Sequence, residues 1–109
     1  MNFQARQGDV WIERVDEAEL PRNAEIVPAD RGRVILAYGE VTGHAHAIAA
    51  RPGVHLLAVP GQDERFLRIG GDGAELRHEE HATIALPPGL YRTYVQREYS
   101  PGEIRRVLD

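Results

Sequence analysis

At 109 residues, with 42% hydrophobic and 28% charged side chains, the chain has the length and balance of one globular domain; roughly two-thirds of its unfolded surface can be buried without disulfide staples. That composition excludes a disordered or collagen-like chain, and no apolar run approaches the ~20 residues of a membrane-spanning helix. A net charge of −4 argues against a nucleic-acid partner, the absence of cysteine removes disulfides, thiolate sites and a thiol nucleophile, and because all 13 basic residues are arginine there is no Schiff-base or phosphate-binding lysine.

The start, MNFQARQGDVWIERV, has no basic, apolar and small-residue succession of a secretory signal, so a cytoplasmic location is expected. The first predicted strand is Asp9 to Val15, where Val10 and Ile12 alternate with Trp11 and Glu13. Acidic residues over Asp16 to Asn23 predict a loop or one helical turn, followed by a short extended piece from Ala24 to Pro28 and a turn at Asp30, Arg31 and Gly32. Arg33 to Tyr38 reads as a strand, and after Gly43 the run HAHAIAA sets His44, His46 and Ile48 on one face against alanines on the other. Val54 to Val59 follows the turn at Pro52 and Gly53.

Two hairpins are predicted next. Phe66 to Ile69 and Ala74 to His78 flank Gly70, Gly71, Asp72 and Gly73, while Ala82 to Leu86 and Leu90 to Tyr99 flank Pro87, Pro88 and Gly89. In the last strand Tyr91, Thr93 and Val95 share one face, and Leu90, Arg92, Tyr94 and Gln96 the other. Ser100, Pro101 and Glu103 form a helix start, with Ile104, Val107 and Leu108 on one side of a short terminal helix. The expected architecture is all-β, a single small antiparallel β-barrel or sandwich spanning residues 1–109 with a short C-terminal helix.

Histidine carries the chemistry of this sequence. Four of its five histidines form two tight pairs, His44 with His46 and His78 with His81. The first pair shares a strand face; the second, in HEEH, aligns only in a bend between strands. Together they can supply nitrogen ligands to a divalent ion, zinc first, with iron, manganese or nickel as alternatives, and Glu40, Glu79 or Glu80 as carboxylate ligand or proton-shuttling base. Spacing of three rather than four, outside a helix, excludes a zincin motif. His55 stands alone and reads as structural; Thr42 and Ser100 read as turn and cap hydroxyls.

The GDV strand opening, GEVTGHAH, HEEH, LPPGLY and QREYSP together resemble small uncharacterised proteins of bacteria and their phages, a likeness that covers most of the chain and implies no activity. Gly39 with His44 and His46, and His81 ahead of Leu86, Pro87, Pro88 and Gly89, resemble the cupin motifs, which imply a metal-centred β-barrel. Here the glycine lies one residue closer to the histidines, alanines and Arg51 replace the usual glutamate, and the closing histidine precedes the proline-glycine turn. Two functions are therefore set against each other. One is a metal-binding protein holding its ion on His44, His46, His78 and His81, with a catalytic water and a small-molecule ligand if a coordination position stays open. The other is a metal-free interaction or assembly module, self-associating or partner-binding through strand edges, the last strand and the terminal helix.

Overall fold

The computed structural model describes residues 3–39 and 43–96. Ten strands follow in chain order: β1 (Gln4–Gln7), β2 (Val10–Val15), β3 (Glu25–Val27), β4 (Arg33–Tyr38), β5 (Ala45–Ala49), β6 (Val54–Ala58), β7 (Arg65–Ile69), β8 (Ala74–Leu76), β9 (Ile84–Leu86) and β10 (Gly89–Val95), with one 3-10 turn at Glu17–Glu19. All pairings between these strands are antiparallel.

Six strands form a sheet in the order β1-β2-β10-β7-β6-β3, and the β4-β5 and β8-β9 hairpins complete a second layer. Reciprocal backbone hydrogen bonds between Ala47 and Arg77, of 3.0 and 2.9 Å, link the two hairpins. The core lies between the layers: Val10, Ile12, Leu56, Leu67, Ile69 and Tyr91 from the large sheet meet Val34, Leu36, Ile48, Leu76 and Leu86 from the hairpins. Period-two alternation places these side chains inward, and burial of each contributes about 1.5–3 kcal/mol. A smaller cluster on the outer face, Val59, Phe66 and Leu90, is covered by Leu20 and Ala24 from the acidic segment.

The all-β class and the antiparallel pairing stand, but the closed barrel that the cupin resemblance implies does not: among the described residues the large sheet is open, with β1 and β3 at its edges. The two later hairpins are also corrected. β7 pairs with β6 and β10, β8 pairs with β9, and β10 pairs with β2 and β7. Thus both the glycine-rich segment and Pro87-Pro88 carry the chain across from one layer to the other. Proline has no N–H for a ladder, which suits Pro87 and Pro88 to a crossing rather than a pairing position. Over residues 90–93 β10 is paired on both sides, with β2 and β7, so that described stretch of the last strand has no free edge. The predicted terminal helix, with Ser100, and residues Glu40 and Thr42 lie outside the described residues.

β1 is an addition to the sequence reading. It pairs with β2 through a two-residue turn, Gly8 and Asp9, closed by the Gln7↔Val10 register. Gly8 has φ 59°, the positive value a turn with glycine at its first central position requires. A side chain is strained at that φ, and its Cβ would lie 2.8 Å from His81 Nε2 and 3.3 Å from His46 Cε1, so the histidine rings would have to give way to it.

Candidate metal centre

The turn of Gly8 and Asp9 closes one side of a histidine-lined pocket. β5 supplies His44 just before its first residue and His46 within it, opposite a register shift between Ile35 and Ala37 of β4. The bend between β8 and β9 supplies His78 and His81. Ring centroids lie 4.3 Å apart for His46 and His78, 4.7 Å for His78 and His81, 5.8 Å for His46 and His81, and 5.9 Å for His44 and His78. Both predicted pairs therefore meet in space. With Asp9, Tyr38, Gly39 and Glu80 they line a cavity of about 280 Å³. His55 is elsewhere, on β6 opposite Arg68.

Only one of the four rings is buried, and its orientation is dictated. Gln7 is 2% exposed, and its amide nitrogen donates to the carbonyls of Leu76 (3.0 Å) and Ala82 (2.9 Å). Rotating the amide would set its oxygen against those two carbonyl oxygens, so Oε1 must face His46 Nδ1, 2.9 Å away. A carbonyl oxygen only accepts. Nδ1 of His46 therefore carries the hydrogen, and in the neutral ring Nε2 is a bare lone pair, 3.6 Å from Asp9 Oδ1. His78 has the opposite pattern: its Nδ1 accepts the N–H of Glu80 at 3.0 Å, which leaves the proton of the neutral ring on Nε2.

Of the three predicted carboxylates, Glu40 lies outside the described residues, and Glu79 and Glu80 take different roles. Glu79 accepts the Ala45 N–H at 3.0 Å and lies 3.9 Å from Arg33, clamping the HEEH bend to the end of β5. The Ala45 N–H is the chief cause holding its carboxyl below the usual range. Glu80 remains exposed, with Oε2 3.3 Å from His44 Nδ1. Among the described residues, no three carboxylate or imidazole groups already form a metal-holding set. His44 and His78 are half-buried and His81 is exposed.

Sequence reading missed Gln7 and Asp9. Asp9 had a signal in the glycine-aspartate pair of a tight turn; Gln7, a polar residue in a short strand, had none. A larger cavity of about 630 Å³ lies beside Arg14 and Gly89. Its Glu17 and Glu19 are already paired with Arg68 and Arg92, so its charge is largely spent on itself.

Burial, with the neighbouring His78 next in weight, lowers the pKa of His46 from its ordinary 6.5. The folded state thus resists a proton that the unfolded chain accepts. The resulting stabilisation is full above 6.5 and is lost as pH falls toward the lowered folded value. Chemical denaturation in chelator should accordingly give a lower midpoint at about pH 5.5 than at about pH 7.5. The His46→Gln variant, which keeps an N–H donor for Gln7, should lose most of that difference.

The fold and pocket define an antiparallel two-layer β protein with a histidine-lined cavity at one end of its core. The chain belongs to the family described as a domain of unknown function, DUF8820, which matches residues 6–96 and so includes Gln7, Asp9 and all five histidines. No curated protein and no solved structure matches the chain. Among the described residues no helix is long and apolar enough to cross a membrane.

Proposed function

We propose that this is a small metal-binding β protein whose histidine cluster, His44, His46, His78 and His81, takes a divalent ion, with zinc first and iron, manganese and nickel as alternatives. The observation that carries this reading is the bare Nε2 of buried His46. Metal-bound histidines characteristically donate their other ring N–H to a fixed acceptor, and Gln7 is such an acceptor. His44 and His81 reach the ion by rotation of their exposed or half-exposed rings. His78 joins by exchanging the Glu80 N–H for the ion, so its recruitment rearranges the HEEH bend. If a coordination position stays open to water, Glu80 is, of the two described glutamates of HEEH, the one placed to take its proton, because Glu79 is engaged in its clamp.

Elemental analysis of protein reconstituted with zinc and passed through a desalting column should give a stoichiometric ion and a raised melting temperature. His46→Ala should lose the ion. Equal metal content in the variant and the parent overturns this site.

A metal-free interaction module is the second reading, and Ile26 favours it: this side chain is 61% exposed on edge strand β3. Concentration-dependent light scattering that Ile26→Lys abolishes would support that reading.

A further inference from the structure

The sequence pattern places Asp9 at the start of the first strand and gives it no chemical role, yet the structure sets it in the turn before β2, where its carboxylate faces the bare Nε2 of His46. We infer that Asp9 is itself a ligand of the ion, making the centre a mixed nitrogen and oxygen site founded on His46 Nε2 and the Asp9 carboxylate. This rests on the metal reading above and extends it.

Two acceptors face each other here. His46 spends its ring hydrogen on Gln7, so the atom presented to Asp9 Oδ1 is a lone pair, and the carboxylate presents another at 3.6 Å. Neither can donate to the other in that state, and a cation between them satisfies both. The spacing fits: two ligands held at about 2.0–2.1 Å by a tetrahedral ion stand roughly 3.3–3.4 Å apart. A shift of a few tenths of an ångström closes that gap, and the 57% exposed Asp9 side chain is free to make it.

The turn itself is built for this approach. Gly8 brings the backbone against both His46 and His81, and the two-residue length leaves Asp9 as the side chain that turn projects at the pocket. Adding a carboxylate oxygen to imidazole nitrogens moves the site toward zinc, ferrous iron and manganese and away from cuprous copper, which prefers sulfur. It also supplies one negative charge to an otherwise neutral ligand set.

The test compares the full chain with Asp9→Asn, which retains the size and turn preference of aspartate, by competitive titration with zinc and by the visible spectrum of the cobalt-loaded protein. Asp9→Asn should bind zinc at least about tenfold more weakly, with an altered cobalt spectrum and an unchanged metal-free melting temperature. Binding within about twofold of the parent, or weaker binding with the parent's cobalt spectrum, overturns Asp9 as a ligand while leaving the histidine site standing. Failure of the parent chain to bind either metal overturns both readings.

Discussion

Replacing Gln7 with leucine is expected to destabilise the metal-free fold by about 3–5 kcal/mol, since each buried polar group left without a partner costs about 1–3 kcal/mol. Three groups lose their partner at once: the carbonyls of Leu76 and Ala82 and the Nδ1–H of His46. Leucine nearly matches glutamine in size, so the loss reports hydrogen bonding rather than a cavity. It is large beside the ~5–15 kcal/mol that holds a typical domain together. Gln7 joins β1, at the edge of the large sheet, to the β8-β9 segment of the other layer, so the same side chain closes the sandwich and orients the His46 ring. Gln7→Glu separates these two tasks. A carboxylate still accepts from His46 Nδ1 but cannot donate to either carbonyl. Both variants should therefore lose stability by urea denaturation. Under conditions where both remain folded, Gln7→Leu should bind zinc about 10–100-fold more weakly than the parent, as expected when an outer-shell partner is removed, while Gln7→Glu stays closer to it. Equal affinities for leucine and parent would show that the tautomer of His46 is not under the control of Gln7.

This double role explains why the sequence disclosed the histidines and hid their support. The alternation in Val10 to Val15 reports which face is buried, and β2 follows it, whereas Arg33 to Tyr38 and HAHAIAA disclose strands but not their facing: β4 and β5 are buried on both sides, with Ile35, Ala45 and Ala47 in a cluster of their own. In β10 the alternation groups Tyr91, Thr93 and Val95 on one face, of which Tyr91 and Thr93 are buried, but Leu90 on the opposite face is buried as well, beneath Leu20 and Ala24. QARQ carries no such pattern, because its inward residues are a small alanine and a polar glutamine whose burial is justified only by distant carbonyls. Strand partners were illegible for a related reason. A glycine-rich or proline-rich connection marks a change of direction without stating whether the chain returns beside itself or crosses to another layer. Both such connections cross here, and that is what brings the HEEH bend beneath β5 instead of leaving it at the tip of a meander.

The crossing before β8 makes a second large effect predictable. Gly73 has φ 91°, and a Cβ there would lie 2.7 Å from the carbonyl oxygen of Leu86, a backbone atom of the paired strand β9. Gly73→Ala therefore meets two costs: a left-handed conformation, about 1–2 kcal/mol for a residue with a side chain, and a contact that only displacement of the β8-β9 ladder relieves. Gly61→Ala isolates the first cost, because Gly61 has φ 80° with nothing within 4 Å of its added methyl. Urea denaturation should place Gly61→Ala about 1–2 kcal/mol below the parent and Gly73→Ala at least about twice as far. The displaced ladder ends at Leu76 and Ile84, the two anchors of the segment bearing His78 and His81. Gly73→Ala should consequently weaken zinc binding in the molecules that remain folded, whereas Gly61→Ala should not. Equal destabilisation by the two substitutions would mean that β9 yields without strain. Unchanged zinc affinity in Gly73→Ala would show that the HEEH bend is held by its contacts with β5, chiefly the Glu79 clamp and the Ala47–Arg77 bridge, rather than by the hairpin that carries it.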